Sequence, residues 1–262
     1  MFWVGISPIA VTMAILFYLI RMFAITAFYH RYFSHRTFRM GRVMQFVAAV
    51  LGNSSGQRSP LWWAAHHRQH HRCADKDGDA HSPRDGFWWS HMVWFLSRRH
   101  FDTTAERIPD LMEYPELRWL DRHDWVVPSL FLAATYFLGV AINTWWPSFG
   151  TSGAQMFVWA GLISTVVLTH ATLTINSLAH RFGTRRYQTS DQSRNNFWLA
   201  LITLGEGWHN NHHHYPGSAR QGFFWWEIDI SFYGLKFLAA VGLVSDLKPV
   251  PSRMLGARRV RA

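Results

Sequence analysis

Two long uncharged segments, joined by a short link, most constrain how this chain can fold. Residues 125–146 (WVVPSLFLAATYFLGVAINTWW) and 154–175 (AQMFVWAGLISTVVLTHATLTI) contain no Asp, Glu, Lys or Arg. Each is long enough to cross a bilayer as a helix, which takes about 20 apolar residues. The link between them is PSFGTSG, and the arrangement predicts a helical hairpin in a membrane.

A third apolar segment, residues 3–28, predicts one further crossing. Arg21 falls near its inner end, from which its side chain can extend to the membrane interface. Residues 43–51 are too short to cross. Residues 222–245 mix apolar and charged side chains, which fits a helix lying in the interface. We therefore expect an all-α membrane protein with three crossings and a single domain over residues 1–262.

The charge distribution predicts the orientation of that domain. The chain has 26 Lys and Arg against 16 Asp and Glu, a formal charge of +10. The basic residues are interleaved with apolar segments and form no single basic face, so we expect membrane lipids as partners and no nucleic acid. Residues 30–124 and 176–262 hold nearly all of them, and residues 147–153 hold none. Basic segments favour the cytoplasmic side, which predicts an integral protein of a bacterial inner membrane with a cytoplasmic active site, an outside N-terminus and a cytoplasmic C-terminus.

Histidine carries the chemistry of this sequence. The single cysteine, Cys73, excludes an internal disulfide and cysteine-based zinc or iron–sulfur sites. Sixteen histidines concentrate in the segments HRYFSH, HHRQHH, NSLAH and HNNHHH, each beside a predicted membrane boundary. These histidines are more numerous than the ligands that one tetrahedral zinc ion uses. Imidazole is a common ligand of first-row metals, so the sequence predicts a paired-metal centre. Iron is favoured, with zinc, manganese and copper left open.

Spacing strengthens the metal interpretation. His67, His70 and His71 stand at positions i, i+3 and i+4, and a second triplet repeats this spacing with His209, His212 and His213. On a helix, each triplet shares one face. His66 and His214, next to the triplets, point off the shared face and are expected to support the ligands from behind or to face solvent. Four isolated histidines are expected to be ordinary polar residues: His91, His100, His123 and His170. A metal-storage tract is the alternative, but it does not require regular spacing in four places.

The segments HRYFSH, HRQHH, NSLAH and GEGWHNNHH, with DAHSPRDGFWWSHMVWFL, resemble membrane acyl-CoA fatty acid desaturases of the stearoyl-CoA, delta-9 type. The resemblance covers nearly the whole chain. It implies a helical cytoplasmic cap that holds a histidine-rich dimetal site above the transmembrane helices. It also implies ten residues at the metals, the last acting through a water: His30, His35, His67, His70, His71, His180, His209, His212, His213 and Asn176.

The resemblance also implies an activity. Members of this family hold two irons and use O2 and two electrons to insert a cis double bond into a saturated acyl chain, here expected at the delta-9 position. The substrate is expected to be a fatty acyl-CoA or another acyl lipid. Because the chain has no HPGG-bearing cytochrome b5 domain and too few cysteines for a rubredoxin, we expect a separate electron carrier of the ferredoxin, rubredoxin or cytochrome b5 type.

Substrate residues follow from the same resemblance. Gln57, Trp63 and Thr172 stand where the family places the bend of its acyl tunnel. Arg98 and Arg99 match a basic pair that faces the coenzyme A phosphates, and a membrane-surface basic patch is the alternative. For four aromatic residues we expect packing rather than tunnel lining: Trp88, Trp89, Trp94 and Phe95. Three carboxylates are candidates to orient histidine rings: Glu206, Asp75 and Asp79.

One departure from the family and two competing functions complete the expectations. The family usually has four transmembrane helices, two of them before the first histidine segment, but the residues before His30 allow only one. A di-iron lipid hydroxylase or ketolase is the alternative enzyme, since it also begins with hydrogen abstraction. A membrane metal-binding or transport protein is the alternative from another class. Transporters place ligands near the middle of the membrane, whereas these histidines lie at the ends of the predicted crossings.

Overall fold

Three long apolar helices organise the computed structural model, which describes residues 4–257 and 260. They are Pro8–Ser34, Val126–Trp145 and Gly153–Ser177, and each is long and apolar enough to cross a membrane. We call them the first, second and third span helices. The predicted all-helical architecture with three candidate crossings is confirmed. The first span helix begins at Pro8 and continues past residue 28 to Ser34; residue 3 lies outside the described residues.

Local capping and close packing explain where the span helices begin and how the hairpin closes. The side chain of Ser7 accepts a hydrogen bond from the Ala10 amide, and Pro8 occupies the first turn, as helix starts favour. Ser152 caps the third span helix in the same way. A Cβ atom at Gly139 would lie 2.5 Å from the Ser152 carbonyl oxygen, so only glycine lets the two arms of the hairpin meet there.

Arg21 is buried between the span helices, which corrects the expectation that it reaches the interface. Its guanidinium donates hydrogen bonds to the hydroxyls of Ser164 and Thr165, both at 2.6 Å, and to the Ser54 carbonyl at 3.2 Å. Polar groups inside a membrane domain are satisfied by neighbouring helices when acceptors are available. The hydroxyls of the third span helix supply them, so Arg21 links two crossings.

The remaining helices build a cap on one end of the spans. The two-residue strands Arg39–Met40 and Val244–Ser245 pair antiparallel in this cap. Its helices, including two short segments that follow one another at residues 89–96, are Arg42–Asn53, Pro60–Cys73, Trp89–Val93, Trp94–Leu96, Pro109–Met112, Pro115–Arg122, Phe197–Ile202, His209–His214, Ile230–Ala240 and Ser252–Gly256. Single 3₁₀ turns cover Pro83–Asp85, Arg98–His100, Ala105–Arg107 and Pro147–Phe149.

The interfacial helix predicted over residues 222–245 is wrong in extent. Helix is present only over Ile230–Ala240, where Asp229 caps the first turn by accepting from the Phe232 amide. Asp229 and Glu227 are buried and bind Arg31 and Arg186. Their charges therefore serve ion pairs inside the cap, and the chain before residue 230 turns around them.

The main hydrophobic core lies where the cap meets the first span helix. Phe28, Tyr29 and Phe33 are buried against the Arg42–Asn53 and Pro60–Cys73 helices. A Cβ atom at Gly52 would lie within 2.1 Å of the Tyr29 ring, which shows how closely these elements approach. This packing fixes the end of the first span helix, which carries the first histidines, against the helix that carries the HHRQHH segment.

Candidate metal centre and substrate cavity

The cap gathers all nine predicted histidine ligands into two adjacent groups. Within each group, one ring nitrogen from every histidine lies within 4.8 Å of the corresponding nitrogens of the others. The group that we call site A contains His30, His35, His67, His71 and His212. The group that we call site B contains His70, His180, His209 and His213. The rings of His71 and His213, one from each site, have centroids 4.6 Å apart, so the two sites are direct neighbours.

The two histidine triplets are shared between the sites. The Pro60–Cys73 helix contributes His67 and His71 to site A and His70 to site B. The His209–His214 helix does the reverse, with His212 in site A and two histidines in site B. Positions i, i+3 and i+4 lie on one face of a helix. One face of each of these two helices therefore borders both sites.

A π-helical segment brings His30 and His35 into the same site. The first span helix changes from α to π geometry over Ala24–Ser34. Residues five apart are poorly aligned on an α-helix but face each other in the i→i+5 pattern of a π-helix. The ring centroids of His30 and His35 lie 5.0 Å apart as a result.

Buried carboxylates hold one ring nitrogen of several ligands. The Nδ1 atoms of His70, His180 and His213 lie 3.0, 3.0 and 2.9 Å from carboxylate oxygens of Asp79, Asp75 and Asp191 respectively. A carboxylate beside Nδ1 accepts a hydrogen bond from the Nδ1–H group, which leaves the lone pair of Nε2 free to bind a metal. His30 is held in the same way, through its Nδ1 and the carboxylate of Glu206.

The charges of these groups suit metal binding. Burial, reinforced by neighbouring imidazoles, holds the pKa of His67 and His71 well below the usual histidine value. Burial raises the pKa of the Asp79 carboxyl, but the charges of His81 and His70 and the hydrogen bond from His70 lower it more, so this pKa lies below its usual range. At neutral pH the rings of His67 and His71 are therefore uncharged and can give a lone pair to a metal, and the Asp79 carboxylate is ionised.

The facing ring nitrogens fit metal ions between them. Since Asp79 and Asp191 hold Nδ1 of His70 and His213, both Nε2 atoms present lone pairs to each other, at 3.4 Å. Two lone pairs at this distance repel unless a cation lies between them. Ligand nitrogens at about 2.1 Å from a metal, at angles of roughly 90–110°, lie about 3.0–3.4 Å apart. In site A the distances between Nε2 atoms that face each other are 2.8–3.0 Å.

Three carboxylates were named from the sequence as ring-orienting candidates, and all three contact histidines. Asp191 was missed, because it lies in an irregular segment outside every histidine motif and only the fold brings it to His213.

The residues that hold the Glu206 carboxylate in place were missed as well. Arg31 bridges Glu206 and Asp229 at 3.2 and 2.9 Å, and Gln221 donates to Glu206 at 3.0 Å. In the segment HRYFSH, the ligand candidate His30 is thus followed directly by Arg31, which holds the Glu206 carboxylate that contacts His30.

The other histidines lie outside sites A and B. His91 hydrogen-bonds to His170 and Ser177, both at 3.0 Å, His123 stacks on Trp119, and His100 contacts the side chain of Arg99. Nε2 of His214 lies 2.9 Å from the Met254 carbonyl oxygen. His66 is buried, and burial, together with nearby cationic groups, lowers its pKa to about 3. His81, which the sequence did not single out, is buried 3.7 Å from Asp79.

A cavity of about 290 Å³ reaches site A, since His67 lies in its wall. Gln57 and Thr172 hydrogen-bond to each other at 3.0 Å, and both line this cavity together with Trp63. A second cavity of about 40 Å³ shares four wall residues with the first and continues between the span helices: Trp63, His67, Thr172 and Asn176. Asn176 therefore lies in the wall of both cavities, outside the two histidine groups.

The aromatic residues divide between packing and lining. Trp94 and Phe95 line the larger cavity, which corrects the expectation of packing alone. Their segment forms a short helix that turns its aromatic face toward the Pro60–Cys73 helix, where Trp94 stacks on Trp62. The indole of Trp89 donates to the Ala80 carbonyl, and Trp88 is exposed.

The predicted basic pair lies on the surface. Arg98 and Arg99 are both exposed, and the Arg99 guanidinium lies 4.6 Å from the ring of Trp89. Arg99 also borders a polar depression of about 510 Å³ with Lys76 and Arg84. Asp77, Asp79 and Asp85 line the same depression, so its charges are of both signs and do not by themselves favour an anionic ligand.

The sequence of this chain matches a family of known proteins. The family model described as fatty acid desaturase matches residues 6–241. The chain belongs to the fatty acid desaturase family. It is 38% identical over 241 residues to the probable lipid desaturase ADS3.2 of Arabidopsis thaliana, covering 88% of this chain but only 62% of the length of that relative.

Two further family members differ in their substrates. The sn-2 palmitoyl-lipid 9-desaturase of Nostoc is 37% identical over 229 residues, which are 85% of this chain and 75% of the relative. The acyl-CoA 5-desaturase AL21 of Anemone leveillei is 35% identical over 256 residues, which are 97% of this chain and 73% of the relative. Membership makes this chain an oxidoreductase of lipid metabolism, and both acyl-lipid and acyl-CoA enzymes are among its relatives.

The contact between Asp191 and His213 gives a testable prediction. We expect Asp191→Asn to lower the metal affinity of the purified protein about 10- to 100-fold, because carboxylates behind metal-binding histidines have effects of this size. Iron titration in detergent measures it. Asp102→Asn, a change at an exposed carboxylate, is the matched control. Equal iron affinity in the two variants would contradict the role given to Asp191.

Proposed function

We propose that this protein is an O2-dependent desaturase that inserts a cis double bond, at the delta-9 position, into a saturated fatty acyl chain carried by coenzyme A. The observation that carries the proposal is the position of His67, which belongs to site A and also forms part of both cavity walls. A chain that occupies the two cavities must pass beside the metal sites.

The nine histidines would hold two irons, and Asn176 would act through a water. When bound, the irons supply the oxidising power that removes hydrogen from unactivated methylene groups. In the overall reaction –CH2–CH2– loses two hydrogens, and O2 with two electrons and two protons forms two waters. The histidine donors are neutral and suit first-row metals such as iron.

The protein's own residues position the chain. Trp63 and the Gln57–Thr172 pair stand where the larger cavity meets the smaller one, and the hydrogen bond fixes both polar side chains against the wall. A bend held there favours a cis arrangement of the reacting carbons. Trp62, Trp94 and Phe95 surround the outer part with apolar rings that exclude water.

The basic segments of the cap support the proposed location. We assign residues 30–124 and 176–262 to the cytoplasmic side of a bacterial inner membrane and treat residues 1–262 as one desaturase domain, since both histidine-bearing segments are basic and form one cap. Electrons would come from a separate ferredoxin, rubredoxin or cytochrome b5-like carrier.

Products made in cells test the reaction. In a host that lacks unsaturated-lipid synthesis, we expect this chain to produce a cis-monounsaturated acid, identified by gas chromatography and mass spectrometry. His67→Ala and His212→Ala remove site A donors and should abolish it. His123→Ala, at a half-buried position outside the sites, should retain it. A hydroxy acid without an olefin, or product from both site A variants, would refute the proposal.

The basic pair tests the acyl carrier. We expect the double variant Arg98→Ala and Arg99→Ala to raise KM for stearoyl-CoA about tenfold, since it removes charge-assisted bonds to phosphates. KM for a phospholipid-linked chain should not change. Arg122→Ala, at another exposed arginine, controls for surface charge. An unchanged KM for stearoyl-CoA would assign the pair to the membrane surface.

A further inference from the structure

The ring of His66 is buried with both nitrogens unpaired. Its exposure is 6%, and neither Nδ1 nor Nε2 has a hydrogen-bond partner in the described part of the chain. Buried polar groups in proteins nearly always have partners. His66 directly precedes the site A residue His67 on the same helix, but it does not belong to either histidine site.

The ring lines the larger cavity and is held in place by aromatic neighbours. Its centroid lies 4.6 Å from that of Trp62 and 5.7 Å from that of Trp94. Two other polar side chains in the wall are engaged, since Gln57 bonds to Thr172 and Arg58 bonds to the Phe101 carbonyl. The indole Nε1 of Trp94 is also unpaired among the described residues, but it is a single donor, whereas the His66 ring leaves both of its nitrogens free. His81 also has an unpaired Nδ1, but it stands 3.7 Å from the Asp79 carboxylate. His66 therefore offers a free polar group on a mostly aromatic wall.

The chemistry of an acyl chain identifies the missing partner. Such a chain is apolar along its length and polar only at its head, where a carbonyl oxygen accepts hydrogen bonds. The larger cavity is bordered by the exposed side chains of Leu96 and Phe101, whereas the smaller one lies between the span helices among Met22, Ile25 and Thr26. A chain that enters from the exposed border with its methyl end first keeps its carbonyl in the larger cavity.

We propose that His66 donates a hydrogen bond to the carbonyl oxygen at the head of the bound acyl chain. This assignment rests on the proposed desaturase function and makes His66 a positioning residue. With the carbonyl held at His66, the number of carbons between the head and His67 is fixed. His66 thus sets which carbon pair lies beside the metal sites. The carbonyl belongs equally to a thioester or to an ester, so the inference covers both acyl carriers.

Carbonyl-free substrates test this assignment. One pair compares stearoyl-CoA with its S-octadecyl thioether, and a second compares distearoyl phosphatidylcholine with its dioctadecyl ether. For the pair that the wild-type enzyme accepts, we expect loss of the carbonyl to raise KM about 2- to 10-fold and to spread the double bond over neighbouring positions. His66→Phe should raise KM for the carbonyl substrate to the same value and leave the ether unaffected.

Two controls separate the possible causes. His66→Gln retains an N–H donor and should restore much of the preference for the carbonyl substrate, while His123→Phe makes the same change outside the cavity and should behave as wild type. Iron content reports that each variant is folded. No olefin from any substrate with wild-type enzyme refutes the desaturase function itself. Desaturation with equal KM for carbonyl and ether substrates, or His66→Phe kinetics equal to wild type, refutes only the role of His66 and leaves water as its partner.

Discussion

The hydrogen bonds between buried carboxylates and histidine Nδ1 atoms are the interactions on which the centre depends. Each fixes a ring in one tautomer and points its Nε2 lone pair inward. Without them, nitrogens 3 Å apart would form hydrogen bonds with each other instead of a ligand set. The carboxylates are in turn fixed by the cap: Asp79 accepts the Asp75 amide at 2.9 Å, and Asp75 accepts the Gln192 amide at 2.6 Å. Loops without regular structure are therefore part of the centre.

The fold brings this network to the membrane surface. The first span helix enters the cap in π geometry and delivers His30 to site A while Arg31 holds Glu206. The third span helix ends close to His180, which belongs to site B. Two crossings thus end at the two metal sites, and the cavities between the helices lead an apolar chain to them. Membrane anchoring and substrate positioning share the same elements.

The sequence predicted the residues better than their arrangement. Apolar length was sufficient for the three span helices, and spacing was sufficient for the histidine triplets, since both depend on local geometry. It did not predict that each triplet divides between two sites, because one face of a helix can border two centres. Arg21 was misjudged because its acceptors, Ser164 and Thr165, lie on another crossing. Asp191 and the free ring of His66 become visible only when distant segments meet.

The central claim is that two neighbouring metal sites are built from imidazole nitrogens, and that four of the rings are held by carboxylates that do not themselves bind metal. The most direct measurement is iron analysis combined with X-ray absorption spectroscopy on the purified protein. The account predicts about two irons per chain, each with a shell dominated by imidazole nitrogens, and loss of imidazole scattering in a His70→Ala variant. One ion per chain, or a shell dominated by carboxylate oxygens, would contradict it.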